Sequence, residues 1–215
     1  MKIRNIVLVT IFASTAACTT GKFSSSYKAE RSTVDSLTLL TPIVLVEEND
    51  GENKKNNLLI GASNSIIISE ISKITLSSKY SIVGQELTYQ DIDELFEVCK
   101  SLEFSENILD GQIVPKGFLN NIGIAETKYG LILIYRATFN PLYEPHYNLT
   151  TGIATSSLII APQSKPFSDL RLLVINLENG EVAHYSSKIS ENHDPRVAGD
   201  VEFLTKAILK SVYYR

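Results

Sequence analysis

An uninterrupted apolar run in the middle of the chain constrains the fold most. Five consecutive residues without a charged member, Leu131–Tyr135, follow directly after Gly130. A strand with one face in water would alternate polar and apolar residues, whereas such a run is typical of a strand buried on both faces. The sequence therefore predicts a central sheet that is covered on both sides.

A second strong signal lies in the C-terminal part of the chain. Two extended runs, Leu170–Leu177 and Glu181–Lys188, flank the dipeptide Asn179-Gly180. Because Asn and Gly both tolerate positive φ, this pair between extended runs favours a hairpin. Nearer the start, the residues from 36 to 46 are rich in Leu, Val and Ile and predict a first strand, in which Pro42 marks an edge or a bulge.

Three segments show the three- and four-residue apolar spacing of amphipathic helices. The clearest is Thr88–Leu102, which opens with a T-x-x-D capping pattern and places Cys99 on its apolar stripe. Cys99 is therefore expected to be a buried small hydrophobe rather than a nucleophile. Leu58–Leu76 is predicted as a helix, with a strand within this Ile-rich run as the alternative. The last helix starts at Asp194-Pro195, and its apolar face consists of Val197, Val201, Leu204, Ile208 and Val212.

Together these elements predict one α/β (α+β) domain over residues 34–215. A central mixed sheet carries amphipathic helices and ends in a C-terminal hairpin plus helix. The chain has 215 residues, 44% of them hydrophobic, so it can bury a core without disulfides. Weaker signals predict two further short elements, namely a strand over Tyr80–Val83 closed by Gly84 and a helix that opens at Pro115 with Phe118, Leu119 and Ile122 on its inner face.

The first seventeen residues predict an export signal. Lys2 and Arg4 supply positive charge, residues 6–12 are largely apolar, and residues 14–17 are small, which is the three-part pattern of a secretory signal. The apolar run is too short to span a bilayer core of about 30 Å. We therefore assign residues 1–17 to a signal peptide and the polar, Ser-rich residues 18–33 to a flexible tether.

The end of this signal, Thr15-Ala16-Ala17-Cys18, resembles the lipobox of bacterial lipoproteins. In that family the cysteine thiol takes a diacylglycerol, the chain is cut before the cysteine, and the new amino terminus is often acylated. The resemblance implies a membrane anchor at Cys18 and makes residues 18–33 a lipidated tether, although Thr15 stands where an aliphatic residue is usual. An ordinary signal cut next to Cys18 is the alternative. Thr19 stands where Asp would favour inner-membrane retention, so the resemblance implies an outer-membrane protein that faces the periplasm.

The order of the predicted elements carries a second resemblance. The first strand "LTLLTPIVLV", the buried strand "GLILIYRA", the hairpin "LRLLVINLENGEVAHY" and the final amphipathic helix together cover most of residues 34–213. This pattern resembles small bacterial envelope lipoproteins whose domain is similar to the TolB amino-terminal domain and to the periplasmic part of the curli-secretion lipoprotein. The resemblance implies envelope assembly, secretion or trafficking, and it carries over no catalytic residues.

The polar residues show no pattern that specifies catalysis, a cofactor or a metal site. His146, His184 and His193 lack the spacing of a metal pair, and His184 is expected to be half-exposed in a strand. Three acids between residues 91 and 94 sit at a helix start, where they complement the helix dipole. The chain has no G-x-S-x-G elbow, P-loop or G-x-G-x-x-G motif. A formal net charge of −4 without a basic cluster argues against a nucleic-acid partner.

Tyr143, His146 and Tyr147 are the candidates for a partner surface. They surround Pro145 and precede the apolar run 149–161, for which a strand, a helix and a membrane-contacting segment stay open. Amphipathic aromatics are favoured at interfaces, and coverage of the core edge is the alternative. Three functions follow: a lipid-anchored periplasmic module that binds envelope proteins or its own copies without catalysis, a secreted-pathway hydrolase of cell-wall material, and a subunit of an outer-membrane secretion complex.

Overall fold

The computed structural model describes residues 21–49, 54–77, 81–85, 92–105, 109–115, 117–118, 127–141 and 165–212. The described residues form strands and helices in mixed order. They are β1 (Lys22–Phe23), α1 (Ser25–Glu30), β2 (Ser36–Leu40), β3 (Ile43–Glu48), β4 (Lys54–Lys55), α2 (Asn57–Ser77), β5 (Ser81–Gln85), α3 (Ile92–Phe104), β6 (Tyr129–Phe139), β7 (Phe167–Asn176), β8 (Val182–Ser190) and α4 (Ala198–Leu209).

The strands form one mixed sheet, as the sequence predicts. Its order is β1-β8-β7-β6-β2-β5, and β3 pairs with both β6 and β4. Strand β6 runs parallel to β2 and β3 and antiparallel to β7. The predicted first strand is in fact two strands, because the chain breaks at Thr41-Pro42, where proline has no N–H to donate. Both halves nevertheless pair with β6, β2 at Gly130 and Leu131 and β3 from Ile134 onwards.

The prediction that the central strand is buried on both faces is confirmed. Leu131 and Leu133 belong to one core cluster, while Ile132 and Ile134 belong to another on the opposite face of the sheet. The first cluster packs under α1, α2 and α4, and the second packs under α3. The sheet is therefore the middle layer between two groups of helices.

The predicted helices are largely confirmed. Helix α2 forms over the whole Ile-rich run, with Ile67 and Ile71 buried, so the alternative strand does not form there. Helix α3 buries its apolar stripe, including Cys99, whereas the predicted capping residues 88–91 lie outside the described residues. Helix α4 begins at Ala198 rather than at Asp194, because the Asp194 carboxylate is buried and accepts three hydrogen bonds from the Arg196 guanidinium in a preceding turn.

Two smaller predictions need correction or stay open. Gly84 lies inside β5 rather than closing it, because it pairs with Leu39 of β2. Of the helix predicted after Pro115, Gly117 and Phe118 are helical and Phe118 is buried; residues 119–126 lie outside the described residues. Among the described helices, none has both the length and the apolar character needed to cross a bilayer.

The polar segment after the export signal is the largest departure from expectation. Residues 22–30, assigned to a flexible tether, instead form β1 and α1. One of the serines in this segment caps a helix: Ser24 Oγ accepts a hydrogen bond from the Tyr27 N–H at 3.2 Å and so caps the start of α1. Tyr27 itself is buried in the core and packs edge-on against Tyr129 with ring centroids 4.9 Å apart. The folded domain therefore includes residues 22–30, ahead of the predicted boundary at residue 34.

Candidate functional site

The residues that the sequence singles out for function lie outside the described part of the chain. This applies to Cys18, to the partner-surface candidates Tyr143, His146 and Tyr147, and to the run 149–161. Their roles stay predictions. The described residue nearest to Cys18 in sequence is Gly21. It leads into the N-terminal docking region, which we define as β1, α1 and the residues that they contact.

Strand β1 adds to the free edge of β8. The pairing is antiparallel, with Lys22 opposite Tyr185 and Phe23 opposite His184. The Ser24 N–H continues the ladder by donating to the Ala183 carbonyl oxygen at 2.9 Å. Strand addition satisfies backbone groups that an exposed edge would leave open to other chains.

The Lys22 side chain joins this strand to the end of α3. Its Nζ donates to the carbonyl oxygens of Leu102, Glu103 and Ser105 at 2.7, 2.9 and 2.7 Å. Carbonyls in the last turn of a helix lack intrahelical partners and lie at the negative end of the helix dipole, so an ammonium group is well suited to them. We call this contact the Lys22 clamp. It fixes β1 relative to α3.

His184 holds the other side of β1. Its ring stacks on Phe23 with centroids 4.3 Å apart, and its Nδ1 lies 2.9 Å from the Lys22 carbonyl oxygen, to which it donates. Its Nε2 lies 3.1 Å from Ser211 Oγ, just beyond α4. Burial lowers the pKa of His184 to about 4, so the ring is neutral at pH 7. The expectation of a half-exposed strand histidine is wrong, because β1 and the end of α4 cover it completely.

Gly21 allows the chain to approach His184 this closely. A Cβ atom at this position would lie 2.4 Å from His184 Cε1, well inside van der Waals contact. The glycine thus leaves room for the imidazole where the chain enters the domain.

Helix α1 is held at both ends. At its start, Asp110 accepts hydrogen bonds from the Ser25 N–H at 2.6 Å and from Ser25 Oγ at 2.7 Å, and these bonds hold the pKa of Asp110 below its usual value. At its end, Glu30 accepts from Lys128 Nζ at 2.6 Å and from the Tyr129 hydroxyl at 3.0 Å. The segment that follows the predicted anchor is therefore tied to four separate parts of the domain.

A second group of polar residues, the buried polar cluster, lies between α3 and the sheet. Arg171 binds Asp169 through Nε and Nη2, the closest contact being 2.7 Å, and Arg171 Nη2 lies 3.2 Å from Glu103 Oε1. Tyr185 donates to Glu103 at 3.3 Å. Cys99 completes the cluster, and it is buried, as predicted.

The buried polar cluster is poorly suited to nucleophilic chemistry. Burial raises the pKa of Cys99 to about 12, so almost no thiolate exists at neutral pH. Burial likewise raises the pKa of Tyr185 above its usual range. Both groups stay protonated, and the cluster holds α3 in place on the sheet.

The described serine–histidine contacts also differ from a hydrolase site. Ser190 Oγ lies 2.5 Å from His193 Nδ1, but it also accepts the Asn192 N–H within the same turn. The His193 ring stacks on Phe203, and no carboxylate hydrogen-bonds it within the described residues. A catalytic triad needs such a carboxylate to orient the imidazole. Across the described ranges, no three His, Cys, Asp or Glu side chains are grouped so that they could hold a metal ion.

Comparisons with known proteins give only distant similarities. No family model and no curated protein matches the chain. Among solved structures it is similar to the PelC dodecamer from Paraburkholderia phytofirmans, with 11% identity and a TM-score of 0.35 over 85% of this chain and 90% of that chain. It is also similar to the LpoB C-terminal domain from Salmonella enterica, with 13% identity and a TM-score of 0.28 over 73% of this chain and 83% of that chain.

A further similarity is to lipoprotein GNA1162 from Neisseria meningitidis, with 11% identity and a TM-score of 0.28 over 82% of this chain and 96% of that chain. At these identities and TM-scores we draw no conclusion from the similarities about assembly or function. The resemblance to the TolB amino-terminal domain stays a prediction.

Proposed function

We propose that the chain is a lipid-anchored protein of the bacterial cell envelope that acts as a non-catalytic binding or assembly module. The observation that carries this proposal is the direct continuity between the acylation motif and the folded domain. The motif ends at Cys18, and strand β1 begins at Lys22. Two or three acyl chains bury enough methylene groups, at about 0.8 kcal/mol each, for stable membrane attachment. Thr19 in place of Asp supports the outer membrane as the destination.

The surface of the domain supports binding. Large apolar side chains on two different helices are exposed to water, among them Leu58 on α2 and Phe203 on α4. Large apolar and aromatic side chains are favoured at protein interfaces. The partners that we propose are envelope proteins or further copies of the chain. Membrane anchoring would confine the chain and a membrane-bound partner to one surface and so favour their encounter.

The test compares the wild-type chain with Cys18→Ser in the native envelope. Wild type is expected to begin at Cys18, to carry an acyl adduct in an intact-mass measurement, and to give discrete cross-linked species with an envelope protein or its own copies. Cys18→Ser is expected to leave the membrane fraction and to lose these species. Cys99→Ser is the matched control, because Cys99 is buried and should leave anchoring unchanged. A mature wild-type chain without an acyl adduct, or an anchored chain without any cross-linked partner, would contradict the proposal.

A further inference from the structure

We propose that the domain lies directly on the bilayer and that Phe104, at the end of α3, inserts into the membrane interface. This inference rests on the proposed acylation of Cys18 and deepens it by naming the surface that meets the lipid. It replaces the expectation of a flexible tether that holds the domain away from the membrane.

The first step is the reach of the chain between the anchor and the domain. Three Cα–Cα steps lead from Cys18 to Gly21, and an extended chain spans at most about 11 Å over that length. Gly21 itself lies against the His184 ring, and Lys22 is held by strand pairing and by the Lys22 clamp. Whatever the conformation of residues 19 and 20, an acylated Cys18 keeps this part of the domain within about 11 Å of the lipid attachment point.

The second step is the position of Phe104 relative to that entry point. The Lys22 Nζ binds the carbonyl oxygens of Glu103 and Ser105, which are the residues on either side of Phe104. Phe104 therefore lies beside the strand that leads to the anchor. Its side chain is 89% exposed, although the apolar stripe of the same helix, which includes Leu95, Cys99 and Leu102, is fully buried.

The third step is the chemistry of the surface that would cover Phe104. Acyl chains enter the bilayer at the anchor, so the neighbouring protein surface faces the lipid headgroups. Aromatic and aliphatic side chains of peripheral proteins bury to a depth of about 5–10 Å at the boundary between headgroups and acyl chains. A phenylalanine at the last turn of a helix, next to the anchored strand, is placed for that insertion. The proposed occupant of this face is thus the lipid surface itself.

The chain lacks tryptophan, so Phe104→Trp creates a single fluorescent reporter at this position. The matched control is Leu58→Trp, because Leu58 is 87% exposed and also lies on a helix. Leu58 lies two residues after Asn56, whose N–H donates to the Val46 carbonyl oxygen of β3. Four strand spacings separate β3 from β1 in the sheet, which amounts to about 19 Å. Both substitutions replace an exposed side chain and should leave the fold unchanged.

The experiment uses the acylated full-length mature protein in vesicles of phosphatidylethanolamine and phosphatidylglycerol with brominated acyl chains. We expect the fluorescence of Phe104→Trp to shift to the blue and to be quenched several-fold more than that of Leu58→Trp. Equal quenching of the two reporters, or no quenching of Phe104→Trp in protein that floats with the vesicles, would overturn the inference while leaving the anchor intact. A chain that has no acyl adduct and does not float would overturn the proposed function as well.

Discussion

Replacing Asp169 with Ala is expected to lower the free energy of unfolding by about 3–5 kcal/mol, because it leaves a buried guanidinium without its main partner. Arg171 is 4% exposed and Asp169 is 5% exposed, and three hydrogen bonds of 2.7–3.0 Å join them. The remaining partner, Glu103, is a longer contact at 3.2 Å and belongs to α3 rather than to the sheet. Urea-induced unfolding of the wild type and the variant measures the loss.

Three further variants separate this explanation from a general loss of packing. Glu97 forms an exposed ion pair with Lys100, one turn further along α3. Glu97→Ala removes this pair and should change the free energy of unfolding by less than about 1 kcal/mol. The double variant Asp169→Leu with Arg171→Met replaces the charged pair with apolar side chains and should be more stable than Asp169→Leu alone. A loss below about 1 kcal/mol in Asp169→Ala would contradict the role given to the buried polar cluster.

Lowering the pH from 7.5 to 5.0 is expected to remove about 2 kcal/mol of stability through His184 alone. Burial lowers the pKa of His184 to about 4, whereas an unfolded histidine titrates near its ordinary value of 6.5. The unfolded chain therefore binds a proton first, and the stabilisation that is complete above pH 6.5 is lost as the pH falls towards 4. The N-terminal docking region should be the first part to open, because the His184 ring contacts Lys22 and Phe23 of β1.

The comparison that isolates this effect uses His184→Gln, which carries no charge at any pH. The variant should be less stable at pH 7.5 but should lose much less of its remaining stability at pH 5.0 than the wild type does. His146 and His193 are present in both proteins, so their contributions cancel in the difference. The pKa of the hydrogen-bonded Asp110 lies below its usual value, so its contribution is lost only at lower pH. Parallel stability–pH curves for the two proteins would rule out the buried neutral state of His184.

The elements that sequence reasoning predicts well are those whose signal is local. The apolar run of β6, the Asn-Gly turn between β7 and β8, and the apolar stripe of α3 all depend on residues close together in the chain. Gly180 has the positive φ of 77° that the turn needs. Periodicity and turn chemistry suffice for such features, because the physical cause and its residues share one segment.

The candidate site depends on contacts between distant parts of the chain, and no local sequence pattern predicts such contacts. The residues joined by the His184 Nδ1 contact are 162 positions apart, and those joined by the Lys22 clamp are 80 to 83 positions apart. A polar, Ser-rich segment such as residues 22–30 has the composition of a linker, and its capping by Ser24 becomes visible only once α1 is recognised. Two residues of this segment nevertheless argue against a tether, namely Phe23 and Tyr27, because large aromatic side chains are unusual in a fully solvated linker.

The account depends most on the claim that the segment after the anchor belongs to the folded domain. Hydrogen–deuterium exchange of the mature chain tests this most directly, because Ser24, Lys28 and Arg31 all donate their backbone N–H groups to protein carbonyls at 2.8–3.0 Å. We expect peptides covering residues 22–31 to be protected to a degree comparable with β8, to which they are attached. Exchange of these peptides at the rate of an unstructured chain, while β8 and α3 remain protected, would contradict the docked N terminus and the membrane-apposed domain inferred from it.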